Sequence, residues 1–425
     1  MKVCVIGGGS TYTPELIDGL LRRREQLDLS HISLVDRDEG RLEVLGPLAR
    51  RMAERDGGGV GIDWTTDRLQ GLQGARFVVS QIRVGGMAAR ERDEQLGRRF
   101  GLIGQETVGV GGFANALRSI PVALQIAADI ERVAPEATLL NFTNPAGLVT
   151  EALCRHGGVP TIGLCNVPWS IKAEVAAGLR VDADSVDFDY VGLNHLSWVR
   201  GITVDGADRT AEVLGGLRAL VGKQTDPGGE PSWSAASMEL FRAIPNYYLL
   251  YYYETDAWVR HQSSRPTRAA EVMAIEQALL QEYADPDLDH KPAHLEQRGG
   301  AYYSEAAAAL MADLVGGHGA IHVVNTPNAG AIPGLPDDVV VEVSARIGPS
   351  GPEPIPVPPL RADMDALIRV VKDFELLTVQ AAVEGDEDAA RLALATNPLG
   401  PSMSKVPEVW QALKEVNSGW LGRLG

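Results

Sequence analysis

The sequence predicts an α/β protein in which a doubly wound, mostly parallel sheet is joined to a second, α+β domain. Short apolar runs alternate with helical patterns through the first third of the chain, the first run leads into Gly7-Gly8-Gly9, and the alternation ends near residue 170. Because a βαβ rhythm builds a parallel sheet with helices on both faces, we assign residues 1–170 to the first domain and residues 171–425 to the second.

The strands of the first domain are predicted from segments that are apolar at consecutive positions, which is typical of parallel strands buried on both faces. These segments are residues 2–6, 31–35, 77–82, 138–142 and 161–165. A helix is expected to begin at Thr13-Pro14, since a hydroxyl can cap a helix and proline is favoured at its first position. Leucines and an isoleucine then recur on one side of this helix and should face the sheet.

The second domain begins with two predicted strands, residues 187–193 and 197–204, which a short turn separates. A loop rich in glycine and proline covers residues 226–232, and a long helical stretch begins near residue 234. Later segments are a strand at residues 339–347 and a helix at residues 364–383. This mixture of strands and helices is the basis of the α+β assignment.

Charge and hydropathy argue against several kinds of partner. The formal net charge is −17, and no segment gathers lysine and arginine into a basic strip, so no nucleic acid partner is expected. No apolar run reaches the roughly 18–20 residues that cross a bilayer, so no membrane partner is expected either. A small anionic substrate is compatible with this charge, because a few arginines can reverse the potential locally.

The three cysteines, Cys4, Cys154 and Cys165, are an odd and low number for a chain of 425 residues. They argue against a disulfide framework and for a reducing compartment, so a cytoplasmic location is expected. Cys4 lies within a predicted strand and Cys154 on a predicted helix, where a thiol acts as a small apolar side chain. Cys165 differs because it ends a predicted strand, at the sheet edge where ligands bind.

A glycine-rich loop joins the first strand to the first helix. Glycines at this place allow backbone N–H groups to approach a pyrophosphate at the positive end of the helix, which predicts a Rossmann-type nucleotide site. We expect NAD to be bound by Gly7, Gly9, Ser10 and Thr11. Because Tyr12 occupies the position of the usual third glycine, a simple strand-to-helix turn is the alternative interpretation.

An acidic residue supports the choice of cofactor. Asp36 follows the second predicted strand at a distance suited to hydrogen-bonding the adenosine ribose. A carboxylate there favours NAD over its 2′-phosphorylated relative, although the neighbouring Arg37 weakens that preference.

Cys165 and His195 are a candidate metal pair. Each ends an apolar run, and a soft thiolate together with an imidazole suits a divalent transition metal that keeps open positions for substrate oxygens. The alternative to a metal site is a structural role for each residue. A lone cysteine is usually a buried apolar group, and a lone histidine is usually a hydrogen-bonded residue of the core.

An ordered set of motifs spanning about residues 3–345 resembles glycoside hydrolase family 4, whose members depend on NAD and depart from two-carboxylate chemistry. The motifs are Ile6-Gly7-Gly8-Gly9-Ser10-Thr11; Ile82-Arg83-Val84-Gly85-Gly86 with Arg90 and Asp93-Glu94-Gln95; Gly104-Gln105-Glu106-Thr107; Arg118-Ser119-Ile120-Pro121; Asn141-Phe142-Thr143-Asn144-Pro145-Ala146; Cys165-Asn166-Val167-Pro168; Gly192-Leu193-Asn194-His195; Tyr248-Leu249-Leu250-Tyr251-Tyr252; and Thr267-Arg268-Ala269.

The resemblance implies a second domain like that of lactate and malate dehydrogenases, and a divalent ion such as Mn²⁺ held by Cys165 and His195. It also implies substrate contacts from Arg90, Asn144 and Arg268. For each of the two arginines, the alternative role is a salt bridge at the surface or between the domains.

Two further residues take their roles from the resemblance. Tyr248 matches the family's catalytic base, and its neighbour Tyr247 is the competing choice within a cluster of tyrosines. The residue after the metal cysteine is aspartate in the branch that cleaves phosphorylated α-glucosides and histidine in the unphosphorylated branches. Asn166 stands there and indicates the 6-phospho-β-glucosidase branch, with Asn166 beside the substrate.

The reaction that the resemblance implies begins with oxidation of the sugar at C3 by NAD⁺. Deprotonation at C2, elimination of the C1 oxygen and addition of water follow, before hydride returns to C3. The expected ligand is a small phosphorylated glycoside, and a homodimer or homotetramer is expected.

Three alternative functions stay open from the sequence: an α-specific or unphosphorylated glycosidase of the same family, an NAD-dependent dehydrogenase of the malate and lactate class, and a nucleotide-sensing binding protein.

Overall fold

The fold is that of a computed structural model, which describes residues 1–221, 230–298 and 303–424. Its strands are β1 (Lys2–Ile6), β2 (His31–Val35), β3 (Gly61–Thr65), β4 (Phe77–Ser80), β5 (Thr138–Asn141), β6 (Thr161–Gly163), β7 (Val186–Leu193), β8 (Leu196–Val204), β9 (Ala207–Asp208), β10 (Ile244–Pro245), β11 (Ile321–Pro327), β12 (Val340–Gly348) and β13 (Gly351–Pro354).

The α-helices surround the strands on both faces of the main sheet. They are α1 (Thr13–Arg22), α2 (Glu39–Arg55), α3 (Arg68–Leu72), α4 (Gly86–Arg99), α5 (Gly109–Val133), α6 (Ala146–His156), α7 (Val167–Leu179), α8 (Thr210–Val221), α9 (Ala235–Phe241), α10 (Leu250–Tyr253), α11 (Thr255–Ser263), α12 (Arg268–Tyr283), α13 (Tyr303–Gly316), α14 (Ala362–Glu384), α15 (Glu387–Thr396) and α16 (Val406–Val416).

Strands of the described residues form one nine-stranded sheet in the order β13-β12-β11-β6-β5-β4-β1-β2-β3. The six strands from β6 to β3 are parallel, whereas β11, β12 and β13 add to the β6 edge in antiparallel fashion. The predicted Rossmann-type parallel sheet is therefore confirmed. Both halves of the chain contribute to this sheet, and the boundary near residue 170 stays a prediction.

Side chains alternate between the two faces of the sheet, which explains why the sequences of its central strands are continuously apolar. In β1, Val3 and Val5 pack into the core on one face, and Cys4 and Ile6 pack into the core on the other. Successive residues of a strand point to opposite faces, so both sets must be apolar when helices cover both sides. Cys4 is fully buried, and burial raises the pKa of its thiol to about 12, as expected for a structural cysteine.

The structure differs from the sequence prediction in several elements. β3 was not predicted, because this edge strand is partly exposed and carries no continuous apolar run. Three predicted strands were one or two residues too long at their carboxyl ends, where the chain leaves the sheet. The single long helix expected from residue 234 is wrong, since α9 ends at Phe241, the next residue Arg242 has φ of 51°, and separate helices follow.

A second, smaller sheet carries one half of the candidate metal pair. β7 and β8 form an antiparallel hairpin whose tight turn contains Asn194 and His195. The predicted strands at residues 187–193, 197–204 and 339–347 correspond to β7, β8 and β12. Residues 226–229 of the predicted Gly/Pro-rich loop lie outside the described residues.

Among the described residues, no helix combines the length and apolar character required to cross a membrane.

Candidate active site

The carboxyl ends of the parallel strands open into one cavity of about 960 Å³. Its wall includes Gly7 after β1, Asp36 after β2, Gln81 after β4 and Asn144 after β5. The predicted site residues that line it are Gly7, Gly9, Ser10, Asp36, Arg90, Asn144, Asn166, Tyr248 and Arg268. Ligand sites of open α/β sheets lie at this edge, and one cavity joins the glycine loop to the tyrosine cluster.

The glycine loop has the tight geometry that a pyrophosphate site requires. The backbone N–H groups of Gly7 and Gly8 both donate to the Val35 carbonyl oxygen, at 2.8 and 2.9 Å. Gly7 has φ of +91°, and a Cβ there would lie 2.8 Å from the Gln81 carbonyl oxygen. A side chain would therefore be both strained and crowded, whereas glycine leaves the backbone exposed to the cavity.

Asp36 stands against this loop as the sequence indicated. Its Oδ2 atom accepts a hydrogen bond of 2.9 Å from the Gly9 N–H, and a Cβ on Gly9 would lie 2.9 Å from the same oxygen. The carboxylate consequently lies in the cavity beside the glycines, where a ribose diol would fit.

Thr11 is placed differently from the other loop residues. Its side chain is fully buried, does not line the cavity, and donates a 3.0 Å hydrogen bond to Glu276 of α12. Glu276 also forms ion pairs with Arg298 at 2.9 Å and Arg41 at 3.3 Å. Thr11 therefore fastens the loop to α12, and its contact with a cofactor stays a prediction. Ser10 lines the cavity, and its hydroxyl accepts a hydrogen bond from the Tyr12 N–H.

Cys165 and His195 come together although they are separated in the sequence. Cys165 lies between β6 and α7, His195 lies in the β7–β8 turn with φ of 65°, and their Sγ and Nε2 atoms are 3.5 Å apart. A sulfur and a nitrogen about 2.3 and 2.1 Å from one tetrahedral ion would be roughly 3.6 Å apart. The pair therefore fits a shared divalent ion.

Cys165 and His195 stand as a pair, and burial affects the protonation of both. Over residues 1–221, 230–298 and 303–424, no cluster of three or more His, Cys, Asp and Glu side chains could hold a metal. Burial lowers the pKa of His195 to about 4, so its ring is neutral and can act as a ligand. Burial, and then the charge of Glu342, raise the pKa of the Cys165 thiol, which a bound cation would oppose.

Tyr248 lies directly on the metal pair. Its ring stacks on the His195 ring with centroids 3.9 Å apart and an interplanar angle of 13°. Tyr247 packs on the other side of Tyr248 at 4.4 Å and is 52% exposed. Of the two tyrosines, Tyr248 is thus the one that contacts His195. Burial raises the pKa of Tyr248, while a hydrogen bond from Tyr247 and the charge of Arg90 act in the opposite direction.

Arg90 belongs to a buried ion network on the cavity wall. Its guanidinium pairs with Glu94 at 2.7 Å and with Glu106 at 3.0 Å, and Arg83 also pairs with Glu106. Burial alone would raise the pKa of Glu106, but Arg83 and Arg90 lower it to about 2. Both arginines line the cavity, so the network presents cationic groups there. Asp93 of the same motif is instead fully buried in a pair with Arg118.

The Glu106 network should be visible in the pH dependence of stability. A carboxylate whose pKa falls from 4.5 to about 2 on folding stabilises the fold above pH 4.5, by roughly 3 kcal/mol, and loses this contribution as pH falls toward 2. We expect Glu106→Gln to lower the free energy of unfolding by several kcal/mol at pH 7, because two arginines lose their partner. Urea unfolding at pH 7, 5 and 3.5 measures the difference from wild type, which should shrink below pH 4.5.

A matched control is Glu408→Gln, since Glu408 is exposed and pairs with Lys405 at 2.8 Å. This substitution should change the free energy of unfolding little at any pH. A Glu106→Gln deficit that stays constant from pH 7 to pH 3.5 would contradict the assignment of a low pKa.

The remaining predicted substrate residues differ in how they are held. The Asn144 carbonyl oxygen accepts a 3.1 Å hydrogen bond from Asn115, and Asn166 precedes α7 without a side-chain capping bond. Arg268 is partly exposed at the start of α12 and pairs with Glu271 at 3.0 Å. The Asn166 side chain can therefore contact a ligand in the cavity. The Arg268 guanidinium would have to bind a ligand while it also pairs with Glu271.

Several residues of the site were missed by sequence reasoning. Arg298, Glu276 and Arg83 line the cavity, and Glu342 lies behind the metal pair. A usable signal existed for Arg83, which lies in one of the family motifs, and for Glu342, which interrupts the apolar run of β12 with a single carboxylate. Arg298 and Glu276 follow ordinary helical patterns and give no comparable indication.

Comparison with known proteins identifies the family. Residues 2–181 match the family model described as family 4 glycosyl hydrolase, and residues 190–400 match its C-terminal domain. A protein of Bacillus subtilis named probable 6-phospho-β-glucosidase is 41% identical, with 99% of this chain and 97% of that protein covered. The 6-phospho-β-glucosidase of Escherichia coli is 37% identical, over 94% of this chain and 91% of that protein.

Solved structures agree with these relatives. The 6-phospho-β-glucosidase of Thermotoga maritima, solved with manganese, NAD⁺ and glucose-6-phosphate, is similar with a TM-score of 0.93 and 33% identity, over 99% of both chains. Malate dehydrogenase of Plasmodium falciparum has a TM-score of 0.56 at 14% identity, over 92% of this chain and 99% of that chain, which confirms the predicted likeness of fold and nothing further. The resemblance seen in the sequence is confirmed, and the chain belongs to glycosyl hydrolase family 4.

Proposed function

We propose that this protein is a 6-phospho-β-glucosidase that depends on NAD and a divalent metal ion. One observation supports the proposal most: Tyr248 stacks on His195, whose Nε2 lies 3.5 Å from the Cys165 sulfur, and Tyr248 shares its cavity with the glycine loop. A base that shares its cavity with a nucleotide loop and stacks on one member of a metal pair suits hydrolysis through a transient oxidation. The relatives with this activity cover nearly the whole chain.

The proposed cofactor sites fit the groups they would hold. NAD would be held by the backbone of Gly7 and Gly9, by Ser10 and by Asp36, and the ion by Cys165 and His195. When bound, NAD⁺ supplies a hydride acceptor for C3 of the sugar, and a divalent ion supplies Lewis acidity toward the sugar oxygens. The 3.5 Å separation of the two ligand atoms and the crowding around Gly7 support these assignments.

In the proposed mechanism, Tyr248 acts as the base. Its phenolate oxygen, which the Tyr247 hydrogen bond and the charge of Arg90 favour, takes the proton from C2, which is acidic once C3 is a ketone. The C1 oxygen leaves as the C1–C2 double bond forms. The neutral, buried ring of His195 holds Tyr248 in place by stacking.

The hydroxyl of a water molecule then bonds to C1, and the proton left from this water neutralises the departed C1 oxygen. Tyr248, after its proton has exchanged with solvent, protonates C2, and return of the hydride to C3 restores the sugar hydroxyl. Arg90 and Arg268 orient the anionic substrate, and Asn144 contacts its hydroxyl groups.

Asn166 favours the β-anomer in this proposal. The side chain lines the cavity next to Cys165 and is an amide, which cannot protonate a leaving group. Cleavage therefore depends on expulsion driven from C2 and not on acid catalysis at C1. An α-specific or unphosphorylated substrate is the second choice within the family.

We also infer a cytoplasmic location and a homodimer or homotetramer. All three cysteines are free, which suits a reducing compartment. The oligomeric state is carried over from the resemblance alone, and sedimentation of the purified protein would test it.

The test is hydrolysis of a chromogenic 6-phospho-β-glucoside in D₂O, with and without NAD⁺ and Mn²⁺. We expect cleavage only when both are present, deuterium at C2 of the released sugar, and no accumulation of NADH. Steady NADH formation from hydroxy acids without cleavage would instead indicate a dehydrogenase. Cleavage without NAD⁺ would contradict the proposed mechanism.

A further inference from the structure

Glu342 lies within β12 and is 1% exposed. Four side chains donate hydrogen bonds to its carboxylate, and all four are uncharged: Asn194 at 2.9 Å, Tyr190 at 3.0 Å, Asn325 at 3.1 Å and Ser197 at 3.4 Å. Burial of a carboxylate is costly even when hydrogen bonds satisfy it. A buried carboxylate of this kind therefore points to a specific role that offsets the cost of its burial.

The donors show that Glu342 holds the hairpin that presents His195. Tyr190 lies on β7, Asn194 lies in the turn directly before His195, and Ser197 lies on β8. One carboxylate thus binds both strands and the turn. His195 itself has φ of 65°, a conformation that residues other than glycine adopt rarely and that the surroundings must support.

The same carboxylate is linked to the other side of the metal pair. The Asn194 side chain that donates to Glu342 also lies near the Cys165 thiol, where its polar group lowers the pKa of that thiol. Asn325 lies on β11 and is the register partner of Gly163 at the end of β6, two residues before Cys165. Glu342 therefore connects the supports of both candidate metal ligands.

We propose that Glu342 is a positioning residue that holds the Cys165 sulfur and the His195 nitrogen at the separation required for one divalent ion. This inference rests on the proposed function, because it assumes that the pair binds a metal. The carboxylate contributes by fixing the side chain of Asn194 and the hairpin, and with them the place of the His195 nitrogen. A purely structural role would affect folding but not the metal.

The test compares Glu342→Gln with wild type in metal binding, without substrate or NAD. We expect Mn²⁺ to bind about 10- to 100-fold more weakly in Glu342→Gln, the range typical for residues that orient metal ligands. With Co²⁺ in place of Mn²⁺, the thiolate-to-metal absorption band should weaken or shift. NAD⁺ affinity should stay unchanged, since the glycine loop lines the cavity and neither Glu342 nor its four donors do.

Glu151→Gln is the matched control. Glu151 is also fully buried, and it accepts hydrogen bonds from the Val340 N–H of the same strand at 2.7 Å and from Lys372 at 2.8 Å. This substitution should cost stability because Lys372 loses its buried partner, but Mn²⁺ affinity and the Co²⁺ band should match those of wild type. Loss of metal affinity in Glu151→Gln equal to that in Glu342→Gln would overturn the inference.

A second variant keeps the inference testable if Glu342→Gln does not fold. Tyr190→Phe removes one donor to Glu342, and we expect weaker Mn²⁺ binding in the same direction and a smaller amount. In a folded double variant, Tyr190→Phe should add no further loss to that of Glu342→Gln. Wild-type Mn²⁺ affinity in Glu342→Gln, or in Tyr190→Phe when only that variant folds, would overturn the inference. Failure of wild type to bind Mn²⁺ would instead reject the proposed function.

Discussion

Tyr248→Phe is expected to lower kcat for a 6-phospho-β-glucoside by about 10²- to 10⁴-fold, the usual contribution of a general base. The substitution removes the hydroxyl and keeps the ring that stacks on His195 with centroids 3.9 Å apart. The fold and the metal pair should therefore be preserved. The effect is measured by the initial rate of hydrolysis and by the rate of deuterium incorporation at C2 in D₂O. Both rates should fall in parallel.

Tyr247→Phe is the matched control for this prediction. Tyr247 is the preceding residue, is 52% exposed, and hydrogen-bonds the Tyr248 oxygen, whereas Tyr248 stacks on His195. We expect a modest loss of kcat and full retention of C2 deuterium incorporation. If Tyr247→Phe lost the exchange at C2 and Tyr248→Phe kept it, the base would be Tyr247.

Cys165→Ser is expected to weaken Mn²⁺ binding by roughly a hundredfold or more. Residues that only orient metal ligands already account for 10- to 100-fold, so loss of a ligand should exceed this range. Activity should be lost together with the metal. Treating the wild-type protein with a chelator should also abolish activity, and added Mn²⁺ should then restore it. Equilibrium dialysis with Mn²⁺ and the thiolate absorption band with Co²⁺ measure the change.

Cys154→Ser is the control, because Cys154 is a half-buried thiol on α6 that does not line the cavity. It should bind Mn²⁺ and cleave substrate as wild type does. Undiminished Mn²⁺ binding in Cys165→Ser would show that the ion, if any, is held elsewhere.

Much of the fold could be predicted because its strands are buried on both faces. β1 and β2 were placed at their observed residues, since a parallel strand between two helical layers must be apolar throughout. β3 was missed because it lies at the edge of the sheet, where one face needs no apolar residues. The sequence predicts one long helix after residue 234 because every local pattern there is helical. The positions where one helix ends and the next begins depend on how the chain turns in the folded protein.

Local motifs were enough to name most of the site. Gly7 and Gly9 are required by backbone geometry within one turn, and Asp36 follows the adjacent strand, so their meeting is a consequence of βαβ topology. Cys165 and His195 could be named as a pair from the resemblance, but their separation of 3.5 Å is a property of the folded chain.

The family, the fold class and the candidate residues thus follow from patterns that lie within single segments of the chain. The tertiary structure decided that Tyr248 and not Tyr247 stacks on His195, that Thr11 points to Glu276, and that Glu342 supports the metal pair. Glu342 and Asn194 are 148 residues apart in sequence. Contacts of this kind depend on the packing of whole elements against each other, which no local periodicity encodes.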